Sequence, residues 1–315
     1  MENIVEIRNL NLFFGENQAL YNVNLNIKKG ELHALVGESG CGKTMTAMSI
    51  MRLLPKSAEI KSGEVFFKGE NILTYKEKQM RELRGNKIAL IPQDPMTSLN
   101  PLYTIGNQLI ESIKAHSKVS NHQALRKAKE VMDLVKIPDI DCKFDFYPHE
   151  FSGGMKQRVI IAMALATKAK LIIADEPTTA LDVTIQKQIM DLLYDIKKEY
   201  KTTILLISHD LALVSNYADY ISVMYAGHIV EEAESEKFFN NPLHPYTIAL
   251  LNSLPTKQSR LNLKTIIGAP PTIQEKIVGC KFHPRCEFCK EDICTTKEPA
   301  LKEKEYKHYS ACLIK

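Results

Sequence analysis

The sequence contains no long apolar run. Its longest unbroken apolar stretch covers residues 159–166, far short of the ~18 residues that a membrane-spanning helix needs. The N-terminal residues Met1, Glu2, Asn3 and Ile4 also lack the basic-then-apolar order of a signal peptide. We therefore expect a chain that stays in the cytosol or on the cytosolic face of a membrane.

The composition has no extreme that would indicate a disordered, fibrous or membrane-embedded chain. Hydrophobic residues make up 44% and charged residues 25% of the 315 residues, as in ordinary soluble globular proteins. This length allows one large domain with an appendage, or two domains. No internal repeat is present.

Basic residues and cysteines are concentrated in the tail. Residues 251–315 contain 12 Lys/Arg against 7 Asp/Glu, and Cys280, Cys286, Cys289, Cys294 and Cys312 fall within the last 36 positions. Such a tail could face nucleic acid, anionic lipid or a bound anionic cluster, or could simply be solvated. In a cytosolic chain the cysteine cluster indicates metal rather than disulfides. The isolated Cys142 is predicted to be a small buried residue.

Residues 37–44, Gly-Glu-Ser-Gly-Cys-Gly-Lys-Thr, fit the phosphate-binding loop pattern G-x-x-x-x-G-K-[ST]. Glycines let the backbone N–H groups close around phosphates; Lys43 can reach the β/γ-phosphates, and Thr44 can offer its hydroxyl to Mg²⁺. Because apolar residues 31–37 predict a strand before the loop and 45–54 predict a helix after it, nucleotide binding is favoured over an ordinary glycine-rich turn. Without a repeat, the chain has one such unit.

Hydrophobic periodicity predicts the remaining organisation. Alternation up to about Lys29 indicates half-buried antiparallel strands, and short apolar runs indicate buried strands, those at 170–176 and 202–208 in a parallel sheet. The chain becomes irregular from about Pro255, which marks a boundary. The predicted elements are strands at 87–93, 170–176 and 202–208, helices at 121–135, 155–167 and 183–200, and a hairpin at 220–232.

Two further segments carry chemistry. The apolar strand 171–176 ends in Asp175 and Glu176; after a phosphate loop, the first carboxylate is placed to hold Mg²⁺ through its hydration shell and the second to polarise the attacking water. Ser152-Gly153-Gly154 precedes a predicted helix and forms a second anion-binding N-terminus. That segment is either a simple helix cap or a binding site for the γ-phosphate of a nucleotide held by another chain.

The order of these motifs resembles that of an ABC transporter ATPase. The motifs are the phosphate loop at 37–44, Gln93 after a strand, the signature at 151–158, the acidic strand end at 175–176, the loop at 180–182 and Ser-His-Asp at 208–210. The resemblance implies an α/β fold: a P-loop ABC ATPase core with an antiparallel β-subdomain, an inserted helical subdomain at about 95–165 and a small Cys-rich C-terminal domain. It places the nucleotide-binding domain at 1–254 and the extension at 255–315.

The same resemblance implies a role for each matching residue. Gln93 would contact Mg²⁺ and sense a membrane partner, His209 would hydrogen-bond the γ-phosphate, and Phe14 would stack on adenine unless it is only an exposed strand-end residue. Phe151 and Met155 depart from the usual Leu-Ser-Gly-Gly-Gln signature. The implied ATP contacts within the chain are Phe14, Gly37, Glu38, Ser39, Gly40, Cys41, Gly42, Lys43, Thr44, Met45 and Gln93. The implied contacts with an ATP bound to another chain are Ser152, Gly153, Gly154, Gln157 and Asp182. The implied Mg²⁺ ligands are Thr44, Gln93 and Asp175, and the implied catalytic residues are Glu176, His209 and Lys43.

Segments outside these motifs resemble the ATP-binding subunits of dipeptide and oligopeptide importers, a group that includes nickel importers. They lie at 93–101, 147–149, 224–227, 241–246 and 279–286. The resemblance implies a peripheral ATPase on the cytoplasmic face of the cell (inner) membrane that powers uptake of di- or oligopeptides, or alternatively of nickel or another small solute. The implied partners are a second, paralogous ATPase, two integral permease subunits and an extracytoplasmic substrate-binding protein, with no nucleic acid. A soluble ABC ATPase of DNA repair or translation is the rival, but this chain has neither a second cassette nor a long coiled-coil insertion.

The family's C-terminal extension implies a [4Fe–4S] cluster on Cys280, Cys286, Cys294 and Cys312. A [4Fe–4S]²⁺ cluster with four thiolate ligands carries a net charge of −2, which would suit the basic tail. The spacing from Cys286 to Cys294 is one residue longer than expected. Cys289 also forms a C-x₂-C pair with Cys286, a spacing that zinc uses too. Zinc, a ligand exchange of Cys289 for Cys294, and metal-free thiols therefore remain open.

Overall fold

The structure, a computed structural model, describes residues 2–179, 181–254 and 266–314. It divides into two compact units: the first contains residues 1–73 and 207–315, and the second residues 74–206. The expected boundary at Pro255 and Ala180 of the 180–182 loop lie outside the described residues. Within the described ranges, no helix combines the length and the apolar character needed to cross a membrane.

The strands and helices have the following bounds. The strands are β1 (Asn3–Phe14), β2 (Asn17–Lys28), β3 (Leu32–Val36), β4 (Ala58–Phe67), β5 (Glu70–Asn71), β6 (Ile88–Ile91), β7 (Leu171–Asp175), β8 (Thr203–Ser208), β9 (Tyr220–Tyr225), β10 (His228–Glu234), β11 (Lys302–Glu305) and β12 (His308–Ser310). The helices are α1 (Lys43–Met51), α2 (Glu77–Leu83), α3 (Pro95–Ser98), α4 (Ile105–His116), α5 (Asn121–Leu134), α6 (Ile140–Lys143), α7 (Gly153–Ala166), α8 (Val183–Tyr200), α9 (Leu211–Val214), α10 (Ser235–Asn240), α11 (Pro245–Asn252) and α12 (Glu291–Cys294). Short 3₁₀ turns occupy Ile72–Thr74, Pro148–Glu150 and His283–Arg285.

Two sheets build the first unit. One is antiparallel, in the order β2-β1-β4-β5, and buries the apolar members of the N-terminal alternation, such as Val5, Ile7 and Leu25. In the other, the order runs β11-β12-β10-β9-β3. Within it β3 pairs with β9 in parallel, while β9 and β10 form the predicted hairpin around Ala226 and Gly227.

The tail is joined to this second sheet by a buried polar cluster. Strand β12 pairs with β10, and His308 Nε2 lies 2.8 Å from Glu231 Oε1, with both side chains fully buried. The Glu231 carboxylate also accepts hydrogen bonds from the backbone N–H groups of Leu243 and His244, at 2.9 and 2.7 Å. Burying a carboxylate is costly unless its lone pairs are satisfied, and three donors satisfy this one.

Removing this carboxylate is expected to destabilise the first unit. In Glu231→Ala the two backbone N–H groups and His308 lose their buried acceptor, which should lower the free energy of unfolding by about 3–5 kcal/mol. Urea denaturation would measure the change. Glu236→Ala, at an exposed position on α10, is the matched control and should stay within about 0.5 kcal/mol of wild type. Equal stability of the two variants would contradict this account of how β12 is held.

The second unit contains parallel strands and capped helices. Strands β8, β7 and β6 are neighbours in that order, with β6 and β7 parallel. Four helices are preceded by a capping residue whose side chain accepts a hydrogen bond from a backbone N–H of the first turn. The caps of α4, α5, α7 and α8 are Thr104, Ser120, Ser152 and Asp182. The predicted strands at 87–93, 170–176 and 202–208 and helices at 121–135, 155–167 and 183–200 are confirmed within a few residues at each end.

One burial prediction is wrong. Cys142 is exposed, because it lies on α6, a single helical turn with no buried residue. The apolar character of an isolated cysteine does not by itself bring it into a core.

Candidate functional site: a phosphate loop and an acidic strand end

The phosphate loop connects β3 to α1 in the first unit. Gly37 has φ +151°, and a Cβ there would lie 2.2 Å from the carbonyl oxygen of Met224, so no other residue fits. Helix α1 begins after Gly42, and the N-terminus of a helix carries a partial positive charge that attracts anions. Ser39 and Gly40 are exposed at the tip of the loop. The loop therefore offers backbone N–H groups on a rigid support to an anion.

Lys43 lies inside this loop. Its Nζ donates to the carbonyl oxygens of Gly37 and Glu38, at 2.8 and 2.9 Å, and its side chain is buried. Cys41, two residues earlier, is also buried, and burial raises the pKa of its thiol. The side chain of Lys43 is thus held inside the loop by two main-chain carbonyl oxygens, beside a buried thiol.

Glu38 is held by two residues from the C-terminal third of the chain. Its backbone N–H donates to Tyr246 Oη at 2.9 Å, and its carboxylate receives a bidentate pair from Arg285, with Nη1–Oε2 at 2.7 Å and Nη2–Oε1 at 3.0 Å. Tyr246 packs against Tyr225 and Phe282, with ring centroids at 4.6 and 5.3 Å. The phosphate loop is thus fixed from outside at its second residue.

Four residues with implied nucleotide contacts, among them the last residue of the loop, lie at element boundaries in the first unit. Phe14 is the last residue of β1 and is half-buried, next to Gly15 in the β1–β2 turn. His209 is exposed and follows β8 directly, while the adjacent Asp210 caps α9 through the N–H of Leu213. Thr44 and Met45 occupy the first turn of α1. Each of these positions is a strand end, a loop or a helix start.

The acidic strand end lies in the second unit. Asp175 is the last residue of β7 and is buried. Glu176 follows with φ +45°, a left-handed conformation that costs energy in a residue other than glycine and often marks a functional site. Its Oε2 accepts hydrogen bonds from Gln93 Nε2 and Thr179 Oγ1, both at 3.0 Å. The structure therefore brings Gln93 and Glu176, predicted from segments far apart in sequence, into direct contact.

The signature segment begins α7. Ser152 Oγ accepts from the Met155 N–H at 3.4 Å, which is the capping bond of the simpler interpretation. At Gly154 a Cβ would lie 2.7 Å from Ile185 Cγ2, so α7 approaches α8 closely there. Asp182 caps α8 through the Ile185 N–H at 3.0 Å. Gln157 is fully buried, and neither of its amide atoms has a hydrogen-bond partner among the described residues, so a contact with another chain would need this side chain to become exposed.

The cysteine segment belongs to the first unit. Cys280, Cys286, Cys294 and Cys312 line one small cavity together with His244 and His283, whereas Cys289 is absent from its wall. Burial raises the pKa of the Cys280 thiol and raises that of Cys286 to about 11. Among the residues described, no group of three or more His, Cys, Asp or Glu side chains is arranged to hold a metal ion. These thiols therefore share a cavity but do not, as they stand, form a metal centre.

Sequence reasoning did not assign a role to Tyr246 or Arg285. Both lie in segments, 241–246 and 279–286, whose sequences indicate only a resemblance to peptide importers. A buried arginine needs a partner, but the sequence does not say which of the chain's many carboxylates supplies it. Their contact with Glu38 depends on tertiary packing.

The sequence of this chain matches two protein-family models. Residues 20–179 match the sequence model described as ABC transporter, and residues 230–294 match the one described as oligopeptide/dipeptide transporter, C-terminal region. A probable peptide ABC transporter ATP-binding protein of Sinorhizobium fredii is 50% identical, covering 98% of this chain and 94% of that protein. An oligopeptide transport ATP-binding protein of Bacillus subtilis is 45% identical, covering 97% of this chain and 87% of that protein.

Solved structures agree with the sequence relatives. A dimeric ATP-binding cassette in a post-hydrolysis state, bound to ADP and Pi, superposes with a TM-score of 0.66 at 28% identity, covering 73% of this chain and 98% of that one. A subunit of the CbiONQ ABC transporter complex of Clostridium perfringens gives a TM-score of 0.67 at 28% identity, covering 76% of this chain and 92% of that one. The chain belongs to the ABC transporter family, and it is an ATPase with the ABC fold.

Proposed function

We propose that this chain is the ATP-hydrolysing subunit of an importer of di- or oligopeptides. The observation that carries the proposal is the pairing of an ABC match at residues 20–179 with an oligopeptide/dipeptide transporter match at 230–294. The relatives reported above carry peptide or oligopeptide names, and a dipeptide transport protein of Lactococcus lactis is 45% identical over 91% of this chain. These names favour peptides over nickel as the transported solute.

ATP would bind with its phosphates at the loop 37–44. The α1 N-terminus and the backbone N–H groups of the loop supply a positive field, and the Lys43 ammonium would turn from the carbonyl oxygens of Gly37 and Glu38 to the β/γ-phosphates. Phe14 would stack on adenine. His209, exposed after β8, would donate a hydrogen bond to the γ-phosphate. The remaining contacts would come from the rest of the loop and from Gln93.

Glu176 would act as the general base. Its Oε2 is already oriented by Gln93 and Thr179, and a carboxylate held by two donors can position a water for in-line attack. Thr44, Gln93 and Asp175 would hold Mg²⁺, which supplies positive charge to the phosphate oxygens when bound. Lys43 and His209 would stabilise the charge that develops on the transferred phosphoryl group.

The signature would act on a nucleotide held by a second ATPase chain. The N-terminus of α7, with the Ser152 hydroxyl and the backbones of Gly153 and Gly154, would bind an anion, and its first turn holds no acidic residue that would repel one. Since one nucleotide needs only one phosphate cradle, this second site suits a partner's ATP, with Asp182 beside it at the start of α8. We propose a paralogous ATPase as that partner.

The C-terminal extension, 255–315, would hold a [4Fe–4S] cluster. The support for this proposal is that four thiols line one cavity, those of Cys280, Cys286, Cys294 and Cys312. The thiols would have to converge and lose their protons, since ligation requires thiolates. A cluster would cross-link the loop and helix segments of the tail that carry these cysteines, and a zinc ion would do the same.

Transport requires partners, because other subunits would form the path across the membrane while this chain supplies the energy of ATP hydrolysis. We propose two integral permease subunits that dock near Gln93 and the inserted helices at about 95–165, an extracytoplasmic substrate-binding protein, and a peripheral position on the cytoplasmic face of the membrane. Closure and reopening of the ATPase pair would drive the permeases. No nucleic acid is part of this proposed assembly.

Reconstitution tests the proposal. Proteoliposomes containing the chain with its permeases, its partner ATPase and its binding protein should accumulate a labelled dipeptide or pentapeptide only when ATP is present on the ATPase side. Vesicles made with Glu176→Gln are the matched control and should not accumulate it. ATP-driven uptake of radioactive nickel with no uptake of either peptide would replace peptides by nickel as the solute.

A further inference from the structure

The phosphate loop contains an acidic residue in a place where a polyphosphate would bind. Glu38 is the second residue of the loop, directly after Gly37 and five before Lys43. A carboxylate near bound phosphates repels them, because like charges repel at short range. Something must therefore compensate this charge if the loop is to bind ATP well.

Arg285 supplies the compensation. Its guanidinium forms a bidentate pair with the Glu38 carboxylate, at 2.7 and 3.0 Å, and the arginine side chain is only 6% exposed. Two-pronged pairs of this kind are the strongest and most directional of the ion pairs, and burial shields them from salt. A partner lysine could not reproduce the geometry.

The guanidinium is held in place by groups other than Glu38. Its Nε donates to the Ile267 carbonyl oxygen and its Nη2 to that of Gly268, both at 3.1 Å, and Nη1 lies 3.4 Å from Tyr225 Oη. The positive charge is therefore preorganised before any nucleotide arrives. Together with the Tyr246 bond to the Glu38 N–H, it ties the second residue of the loop to the C-terminal part of the first unit.

We infer that Arg285 is a positioning residue for ATP binding: it neutralises and orients Glu38, so that the cysteine-containing segment of the chain sets the affinity of the phosphate loop. The inference rests on the proposed binding of ATP phosphates at residues 37–44. Arg285 does not touch the nucleotide in this account; it acts through Glu38. Its loss leaves an uncompensated carboxylate in the loop.

Binding of trinitrophenyl-ATP to the full-length chain, followed by fluorescence, tests the inference. Arg285→Ala should raise the Kd about tenfold, since an unpaired charge is left in the site. Arg285→Lys should fall between wild type and Arg285→Ala. Glu38→Ala combined with Arg285→Ala should bind trinitrophenyl-ATP several-fold more tightly than Arg285→Ala alone, because the repelling charge is gone as well.

Three controls separate charge compensation from general damage. Trinitrophenyl-adenosine, which has no phosphates, should bind Arg285→Ala as well as it binds wild type. Lys290→Ala removes one positive charge from the same segment at an exposed position and should leave the Kd for trinitrophenyl-ATP unchanged. Raising the salt concentration should reduce the defect of Arg285→Ala, since salt screens the repulsion.

The outcomes that overturn the inference are distinct. An Arg285→Ala variant that binds like wild type would refute it, and so would a double variant as weak as Arg285→Ala, because Arg285 would then be needed only to keep the segment folded. Both results leave the proposed function intact if Lys43→Ala abolishes binding. Failure of the wild-type chain to bind trinitrophenyl-ATP would remove the proposed nucleotide site and this inference with it.

Discussion

Replacing Glu176 with glutamine is expected to leave ATP binding intact while slowing hydrolysis at least about 100-fold. Glutamine has nearly the same shape, and its side-chain oxygen can still accept the bonds that Gln93 Nε2 and Thr179 Oγ1 donate to Glu176 Oε2. It cannot take a proton from water, so the step that needs a base is lost. Steady-state phosphate release and equilibrium binding of labelled ATP would measure the two properties separately.

The control for this prediction is Glu199→Gln, which removes one carboxylate from an exposed position in the last turn of α8. That variant should hydrolyse ATP at the wild-type rate. Near-normal turnover in Glu176→Gln would show that another group, or a bound water network, acts as the base. A loss of ATP binding in Glu176→Gln would instead show that the negative charge of Glu176, and not only its shape, is needed to form the nucleotide site.

Replacing Cys286 with serine is expected to remove iron from the protein, whereas replacing Cys289 should not. Protein purified without oxygen should contain about four iron and four sulfide per chain, as a [4Fe–4S] cluster requires. Cys286 lines the cavity shared with Cys280, Cys294 and Cys312, and Cys289 does not. Serine is a poor ligand for iron, so loss of one thiol from that wall should empty the site. Iron, acid-labile sulfide and zinc content would be measured in parallel.

Serine variants at three positions, Cys286, Cys289 and Cys294, also decide among the alternatives for the tail. Loss of iron in Cys289→Ser with retention in Cys294→Ser would assign Cys289 as the fourth ligand. One zinc and no sulfide in the wild-type chain would make the tail a structural zinc module. Absence of both metals from the wild-type chain would leave the cysteines as free thiols, with Cys286 held protonated because burial raises its pKa to about 11.

The local sequence determined most of the elements and the location of the chemical groups. The runs that became β3, β7 and β8 are short, apolar and fully or almost fully buried. The caps Ser152 and Asp182 mark the starts of α7 and α8 in the printed sequence. Phosphate loops, helix caps and strand ends can be predicted because each depends on neighbouring residues, whose conformations are set by sterics and local hydrogen bonds.

Contacts between distant segments were decided only by the tertiary structure. Arg285 and Glu38 are separated by 247 positions, and His308 and Glu231 by 77; nothing in either segment names its partner. A buried charge needs an opposite charge beside it, and the packing of strands and helices decides which residue supplies it. Packing also decides which residues are buried, as the exposed Cys142 shows. The sequence by itself determined that this chain has a phosphate loop, an acidic strand end and a cysteine tail, and only packing decided that Arg285, from the cysteine segment, holds the phosphate loop.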